Sequence, residues 1–247
     1  MSEPRRCETC GDPVAGRPEG TPRWLRAAVD RAPLLCDDCA DLAWREHETE
    51  RAEEDAYGHA RRLEARRVAS GVPELLRGLE LTDPDPARAH VLKAAKVWAI
   101  GGSSGLVLGG DVGVGKTHMA AAAAWQRMHR ERLKWLSVPV LFAHLALSFD
   151  NRIHEAAVEA LAGTGALVLD DLDKAKASEY GAQQIFTAVD QRVTAGGALL
   201  VTTNLRLSQL AARWPEPFGD AIVDRLASYC QSFHLEGQSR RRLGGTA

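Results

Sequence analysis

Three short apolar runs stand out against the polar background of this chain. They are GLVLGG at 105–110, GALVLDDL at 165–172 and GGALLVTTN at 196–204. Each run is bounded by glycine or polar residues, as buried parallel strands are. Helical patterns lie between them, at 116–131, 139–149, 153–162 and 179–195. This alternation of strand and helix predicts an α/β fold built on a parallel sheet.

The first third of the chain has a different pattern. Residues 40–70 interleave Glu and Arg with few aliphatic side chains, which predicts one long solvated helix supported by charge pairs at helical spacing. Gly71 and Pro73 are expected to end this helix. We therefore predict three segments. They are a small cysteine-bearing module at 1–45, a charged helical linker at 46–74, and one larger domain at 75–247.

Composition narrows the function classes. The chain has 247 residues, and 31 Lys and Arg against 33 Asp and Glu leave a formal charge of −2, which excludes a polybasic protein. A hydrophobic content of 45% is enough for a real core. No segment approaches the roughly 20 apolar residues of a membrane helix, and the start MSEPRRCETC lacks the apolar core of a signal peptide. A cytoplasmic location and no membrane partner are expected.

A phosphate-binding loop follows the first apolar run. The segment from 110 to 117, GDVGVGKT, fits G-x-x-x-x-G-K-[ST], with a strand before it and a helix after it. Its glycines let backbone N–H groups converge on phosphate oxygens, Lys116 neutralises the β- and γ-phosphates, and Thr117 ligates Mg²⁺. The predicted ATP-binding residues are Gly110, Asp111, Val112, Gly113, Val114, Gly115, Lys116, Thr117 and His118. His118 is expected to be a packing rather than a catalytic residue.

Polar residues end the second and third apolar runs. Asp170 is placed to hold Mg²⁺ through water, and Asp171 to orient or deprotonate the attacking water. Asp173 is expected to cap the following helix. Asn204 is placed to reach the γ-phosphate or its water. Helix capping for the acids and a plain turn role for Asn204 are the alternatives.

The combined motifs resemble those of an AAA+ ATPase, and more closely the DnaC/DnaI/IstB group. Ser70-Gly-Val-Pro73 resembles the element that precedes this group's ATPase domain. The segment from Asp220 to Leu226 resembles its Ile-x-Asp-Arg-Leu box, and Gly237 to Arg241 its terminal Gly-Glu-Ser-Tyr-Arg. The resemblance covers about residues 68–242. It implies an AAA+ P-loop ATPase domain at 75–247, preceded by the cysteine module and the charged helix.

The resemblance also implies roles for individual residues. Asn204 corresponds to sensor 1. Arg225 resembles the arginine finger that reaches a neighbouring subunit's γ-phosphate, and Arg241 resembles the sensor 2 arginine, although Arg240 and Arg242 flank it and leave the choice open. A surface ion pair for Arg225 and a solvated basic tail for the other arginines are the alternatives. Asp171 stands where many relatives have Glu, which suggests slow hydrolysis.

A single-stranded DNA contact is implied just beyond the second apolar run. Ser178-Glu-Tyr180 resembles the Ser-Lys-Tyr element of DnaC-type loaders, in which the aromatic ring would stack on a base and the hydroxyl would bond a phosphate. Lys174 and Lys176 add positive charge nearby. Phe149 resembles a second stacking residue. Helix capping by Ser178 and core packing by Phe149 are the alternatives.

Four of the five cysteines form two C-x₂-C pairs with 25 residues between them. They are Cys7, Cys10, Cys36 and Cys39. In a reducing compartment this spacing predicts a tetrahedral structural zinc site. The alternatives are free thiols, two disulfides, or iron in place of zinc. Cys230 lies in a run, 228–235, that alternates like a strand, and it is expected to be a small core residue.

The resemblance to DnaC/DnaI-type proteins implies a loader that places a DnaB-type replicative helicase hexamer onto single-stranded DNA. The zinc module would dock the helicase, with a DNA-binding zinc ribbon as the competing interpretation. The ATPase domain would self-associate as a ring or spiral with ATP at subunit junctions. The first alternative is an IstB-like regulator that acts on double-stranded DNA and a transposase. The second is an adaptor that binds ATP without hydrolysing it.

Overall fold

The computed structural model describes residues 6–14, 35–83, 85–103, 105–147, 165–174 and 178–240, with only the backbone described at 144–147. The chain divides into two compact units, Met1–Arg62 and Leu63–Ala247. The predicted helix at 153–162 lies outside the described residues, as do Phe149, Lys176, Arg241 and Arg242.

The first unit contains a tight cysteine turn and most of a long helix. In the turn, the Cys7 N–H donates to Asp12 O at 2.7 Å and the Gly11 N–H donates to Cys7 O at 3.0 Å. Gly11 has a φ of 83°, which a side chain would disfavour. Helix α1 spans Asp37–Ala69 and buries none of its residues, so the predicted solvated helix at 40–70 is confirmed.

The second unit is a five-stranded parallel sheet with helices packed on it. The strands are β1 Gly105–Gly110, β2 Leu133–Ser137, β3 Ala166–Asp170, β4 Leu199–Thr202 and β5 Cys230–Leu235. The helices are α2 Ala89–Ala99, α3 Lys116–Arg127, α4 Val138–Leu147, α5 Glu179–Thr194, α6 Leu207–Leu210 and α7 Phe218–Tyr229, with 3₁₀ turns at Glu74–Leu76, Pro86–Arg88 and Ala211–Arg213. The strand order is β2-β3-β4-β1-β5, with every pairing parallel. The predicted α/β fold with a parallel sheet is confirmed.

The core lies on both faces of this sheet. Leu106 and Leu108 of β1 pack into a cluster with α2 and α3, while Val107 between them packs on the opposite side with α5 and α7. Burial on both faces is why the strands appear as continuous apolar runs. The alanines at 120–124 are completely buried, and their small side chains let α3 lie close to the sheet.

Sequence patterns missed several elements. β2 has the sequence LKWLS and lies at the edge of the sheet, so only alternate residues such as Leu133 and Trp135 are buried. That pattern is too short and too polar to stand out as an apolar run. Helices α2 and α7 were not predicted either, and α3 ends at Arg127 rather than at 131. In the part of the chain that the structure describes, no helix combines the length and apolar character needed to cross a bilayer.

Candidate functional site

The loop between β1 and α3 adopts a conformation that requires its glycines. Gly110, Gly113 and Gly115 have φ values of 139°, 85° and 104°. A Cβ on Gly110 would lie 2.1 Å from Leu235 O, and one on Gly113 would lie 2.0 Å from Ser239 Oγ. Positive φ and close neighbours both exclude larger residues here. The loop ends at the N-terminus of α3, where free backbone N–H groups can bind an anion such as phosphate.

Lys116 is the first residue of α3 and is 5% exposed. Its Nζ donates to Gly110 O at 2.7 Å, to Asp111 O at 2.8 Å and to Asn204 Oδ1 at 2.9 Å. Burial lowers the pKa of this ammonium, although the nearby Asp171 carboxylate acts in the opposite direction.

Elsewhere in the loop, exposure varies. Val114 is fully buried, whereas Val112 is 60% exposed and the side chain of Asp111 is also exposed. His118 is exposed too, which does not fit the packing role expected for it. Its position on the outer side of α3 explains the difference.

Asp170 and Thr117 meet between β3 and α3. Asp170 is 7% exposed, and its Oδ1 accepts from Thr202 Oγ1 at 2.6 Å and from Thr117 Oγ1 at 3.2 Å. Burial raises the pKa of Asp170, while the two hydroxyl donors counteract part of that effect. Neighbouring oxygen ligands of Mg²⁺ lie about 3 Å apart when each metal–oxygen distance is near 2.1 Å. The hydroxyl and carboxylate therefore fit a shared magnesium ion.

Asp171 has a left-handed backbone with φ 58°. Its N–H donates to Thr202 Oγ1 at 2.9 Å, and its Oδ2 forms an ion pair with Lys174 Nζ at 2.7 Å. The side chain is 22% exposed, so water can reach it. An αL conformation at a residue other than glycine is uncommon and concentrates at functional sites.

Asp173 does not cap a helix, so that prediction is wrong. Helix α5 begins at Glu179, and its N-cap is Ser178, whose hydroxyl accepts the Gly181 N–H at 3.1 Å. Asp173 instead holds Asn204, accepting its backbone N–H at 2.7 Å and its Nδ2–H at 3.0 Å. No local sequence signal indicates this pairing, because the two residues are 31 positions apart.

Arg240 lies against the phosphate loop. Its backbone N–H donates to Gly113 O at 2.9 Å, and its guanidinium pairs with Asp83 at 2.6 Å. Arg88, which is buried, donates to Val114 O at 2.7 Å and lies 3.8 Å from Asp83. Among the three candidate arginines, Arg240 is within the described residues and is brought to the loop. Sequence reasoning missed Asp83 and Arg88, which carry no motif.

The other predicted contacts are spread more widely. Arg225 on α7 is 42% exposed and pairs with Asp190 at 2.6 Å. Ser178 caps α5 as described, Tyr180 in its first turn is 42% exposed, and Lys174 pairs with Asp171. Cys230 is buried, and burial raises its pKa to about 12, so the prediction of a core cysteine is confirmed.

The four N-terminal cysteines converge in the first unit. The Sγ atoms of Cys7, Cys10, Cys36 and Cys39 all lie within 4.8 Å of one another, and those of Cys10 and Cys36 are 3.5 Å apart. Tetrahedral zinc at about 2.3 Å from each sulfur places the sulfurs about 3.8 Å apart, so the cluster fits that ion. The N–H groups of Cys10 and Cys36 lower the pKa of Cys7 to about 6, whereas the hydrogen bond with the Cys36 thiol raises the pKa of Cys39 to about 11.

The phosphate loop, the acids after β3 and the polar residue after β4 all meet at the carboxyl edge of one parallel sheet. Together with the strand order, they define an AAA+ P-loop ATPase. Residues 48–244 match the family described as IstB-like ATP binding protein, and the chain belongs to that family. The family description makes ATP the nucleotide of this chain.

Comparisons with known proteins agree on the class. The chain is 26% identical to an insertion sequence IS21 putative ATP-binding protein of Pseudomonas aeruginosa over 74% of its own length and 71% of that protein. The fold is similar to that in a crystal structure of DnaI, with TM-score 0.58 and 23% identity over 67% of this chain and 95% of the crystallised chain. It is also similar to that in a crystal structure of the DnaC helicase loader, with TM-score 0.53 and 19% identity over 66% of this chain and 99% of the crystallised chain.

Proposed function

We propose that this chain is an ATP-controlled loader of a DnaB-type replicative helicase onto single-stranded DNA. The observation that carries the proposal is the cysteine cluster, whose four thiols converge within the first compact unit. All four precede residue 48, where the family match begins. A small element stabilised by zinc, which precedes the ATPase domain in the sequence, is suited to hold a partner protein while ATP is bound and hydrolysed. The ATPase unit is also similar in fold to the DnaC helicase loader, which supports a loading role.

The proposed chemistry uses the residues grouped at the carboxyl edge of the sheet. Lys116 exchanges its loop carbonyls for β- and γ-phosphate oxygens. Thr117 and Asp170 would hold Mg²⁺, which supplies positive charge on the phosphate oxygens when bound. Asp171 accepts a proton from the water whose oxygen bonds to the γ-phosphorus, while the bond to the bridging oxygen breaks and ADP and phosphate form.

Lys174 links this chemistry to DNA. Its Nζ lies 2.7 Å from Asp171 Oδ2, and this ion pair occupies the carboxylate that has to accept a proton from the attacking water. Hydrolysis without DNA is therefore slow. DNA phosphates compete for Lys174, while Tyr180 at the start of α5 stacks on a base. Bound single-stranded DNA therefore frees Asp171 and stimulates turnover.

Self-association completes the proposed site. Arg225 lies on the exposed side of α7, where it would reach the γ-phosphate held by a neighbouring copy in a ring or spiral. Arg240 would contact phosphate within its own subunit, since its backbone already bonds the phosphate loop at Gly113. Each ATP would then lie at a junction between two copies.

A transposase is the second candidate partner. The family match and the 26% identical IS21 protein favour a role in which the ATPase acts with a transposase on double-stranded DNA. The same nucleotide chemistry would serve either role. The two candidates differ in the partner that is bound and in the form of DNA that stimulates turnover.

The partner is tested by affinity capture with the full chain as bait. The replicative helicase and the transposase of the source organism are offered separately, with the Cys36→Ser variant beside wild type and Cys230→Ser as a matched control outside the cluster. Helicase capture that is lost in Cys36→Ser and kept in Cys230→Ser supports loading. Transposase capture, with ATP turnover stimulated by duplex rather than single-stranded DNA, establishes the second candidate and overturns the first. Capture of neither protein contradicts both.

A further inference from the structure

Asp173 clamps Asn204 by two hydrogen bonds. The carboxylate is 7% exposed, and its two oxygens accept from the backbone N–H at 2.7 Å and from the side-chain Nδ2 at 3.0 Å. The loop that carries Asp173 is itself anchored, since its carbonyl oxygen accepts from Arg213 Nε at 3.2 Å. The position of Asn204 is therefore defined at both its main chain and its side chain.

The clamp also determines which end of the Asn204 amide faces the nucleotide loop. An ionised carboxylate only accepts hydrogen bonds, so the amide nitrogen has to face Asp173. A reversed amide would place its oxygen against a carboxylate oxygen. The carbonyl Oδ1 is left to face Lys116, whose Nζ lies 2.9 Å away.

Electrostatics support an ionised Asp173. Burial opposes ionisation, but the N–H groups of Asn204 outweigh it, so the pKa of Asp173 lies below its usual value. At neutral pH the carboxylate is present, and the amide orientation is fixed.

A lysine ammonium has three donors, and this arrangement assigns each of them. Two now bond to Gly110 O and Asp111 O, and the third bonds to Asn204 Oδ1. When phosphate oxygens replace the two carbonyls, the third bond is still available to aim the ammonium. Without the clamp, Asn204 can rotate and the ammonium loses its fixed direction.

We propose that Asp173 is a positioning residue for ATP hydrolysis, which holds Asn204 so that its Oδ1 aims the Lys116 ammonium at the γ-phosphate. The inference rests on the proposed hydrolysis at this site. It gives Asn204 a role toward the lysine in addition to the predicted contact with the γ-phosphate or its water.

The test is steady-state ATP turnover by the full chain with Asp173→Asn, measured with and without single-stranded DNA. The new amide can donate to Asn204 and so permits the reversed orientation at nearly unchanged volume. We expect kcat to fall about tenfold or more, because small misplacements of a charge-stabilising group have effects of that size, while KM for ATP changes less than threefold. Asp55→Asn, the same chemical change on the exposed surface of α1, serves as control. Thermal unfolding of each variant checks that it is folded.

A reciprocal exchange separates positioning from a purely structural role. In the double variant Asp173→Asn, Asn204→Asp, the new amide donates to the new carboxylate, which again presents an oxygen to Lys116. We expect this variant to recover at least threefold in kcat over Asp173→Asn. Where Asp173→Asn does not fold, Asp173→Ser keeps one acceptor for the backbone N–H and is expected to show the same selective loss of kcat.

The outcomes distinguish this inference from the proposed function. If wild type turns over ATP no faster than Lys116→Ala, hydrolysis at this site is wrong and the inference falls with it. If wild type is active and folded Asp173→Asn keeps kcat within twofold, the inference alone is overturned. It is also overturned if the reciprocal exchange recovers nothing.

Discussion

The Thr202 hydroxyl donates to Asp170 Oδ1 at 2.6 Å and accepts the N–H of Asp171 at 2.9 Å. One side chain at the end of β4 thus holds both candidate catalytic acids at the end of β3. The neighbouring Leu172 N–H also bonds Thr202 O, at 2.9 Å. Three hydrogen bonds therefore hold the two strand ends together, and the one from Thr202 Oγ1 partly offsets the effect of burial on the pKa of Asp170.

Replacing Thr202 by valine removes the hydroxyl at nearly constant volume. The lost donor raises the pKa of Asp170, which burial already raises. Asp170 has to be ionised to hold Mg²⁺. As the pH falls, the variant should therefore lose activity at a higher pH than wild type does. We expect the acidic limb of the kcat/KM profile to move up by about one pH unit, the size of one hydrogen bond to a charged group. Thr194→Val at the exposed end of α5 is the control, and an unmoved limb would show that Thr202 does not tune Asp170.

The Asp83–Arg240 pair is expected to stabilise the fold in a pH-dependent way. Burial opposes ionisation of Asp83, but the Asp85 N–H and the Arg240 guanidinium outweigh it and hold its pKa below the usual value. A lowered pKa stabilises the folded state above the unfolded-state value near 4, and the effect is lost as the pH falls through the folded-state value. Asp83→Asn should therefore lower the free energy of unfolding by about 2 kcal/mol at neutral pH.

Denaturant unfolding of Asp83→Asn and of the exposed control Asp55→Asn checks this prediction. The deficit of Asp83→Asn should be constant from pH 8 to pH 5 and shrink only below about pH 4. A deficit that is the same at every pH would indicate lost packing instead of a lost charge.

Substitutions at Arg225 and at its partner Asp190 test whether Arg225 is an arginine finger or only part of a surface ion pair. Arg225→Ala should lower ATP turnover by about a hundredfold or more and leave ATP affinity intact, because a finger acts on transition-state charge. Asp190→Ala breaks the same 2.6 Å pair but keeps the arginine, so it should leave turnover close to wild type. Turnover and nucleotide affinity are measured for both variants.

Mixing two inactive variants tests whether Arg225 acts between subunits. Arg225→Ala keeps an intact phosphate loop, and Lys116→Ala keeps an intact arginine. Their mixture should regain turnover that neither variant has alone. Absence of recovery, together with equal effects of Arg225→Ala and Asp190→Ala, would assign Arg225 to the ion pair.

Zinc content tests the cysteine cluster. The purified chain should hold one zinc ion, because the four Sγ atoms lie within 4.8 Å of one another. Cys36→Ser should lose most of this zinc, and Cys230→Ser should retain it, since Cys230 is buried elsewhere. Metal analysis after removal of free zinc gives the stoichiometry. A full complement of zinc in Cys36→Ser, or iron in wild type, would contradict the assignment.

The sequence by itself determined the features that are local. The phosphate loop is contiguous from Gly110 to Thr117, and its positive-φ glycines leave a readable pattern. The apolar runs predicted β1, β3 and β4 because both faces of these strands are buried. Asp170 and Asn204 could be placed at one edge because parallel strands end there together. Edge strand β2 left no comparable signal.

Tertiary structure decided the partners. Asp173 and Asn204 are 31 residues apart, and Asp83 and Arg240 are 157 apart, so neither pair has a sequence pattern. They meet because β3 and β4 are neighbours in the sheet and because the segments around residues 83 and 240 both lie against the phosphate loop. A residue type and its spacing identify which chemistry is available. Only packing determines which atom faces which. For that reason the sequence predicts a helix cap at Asp173, whereas in the fold its carboxylate holds Asn204.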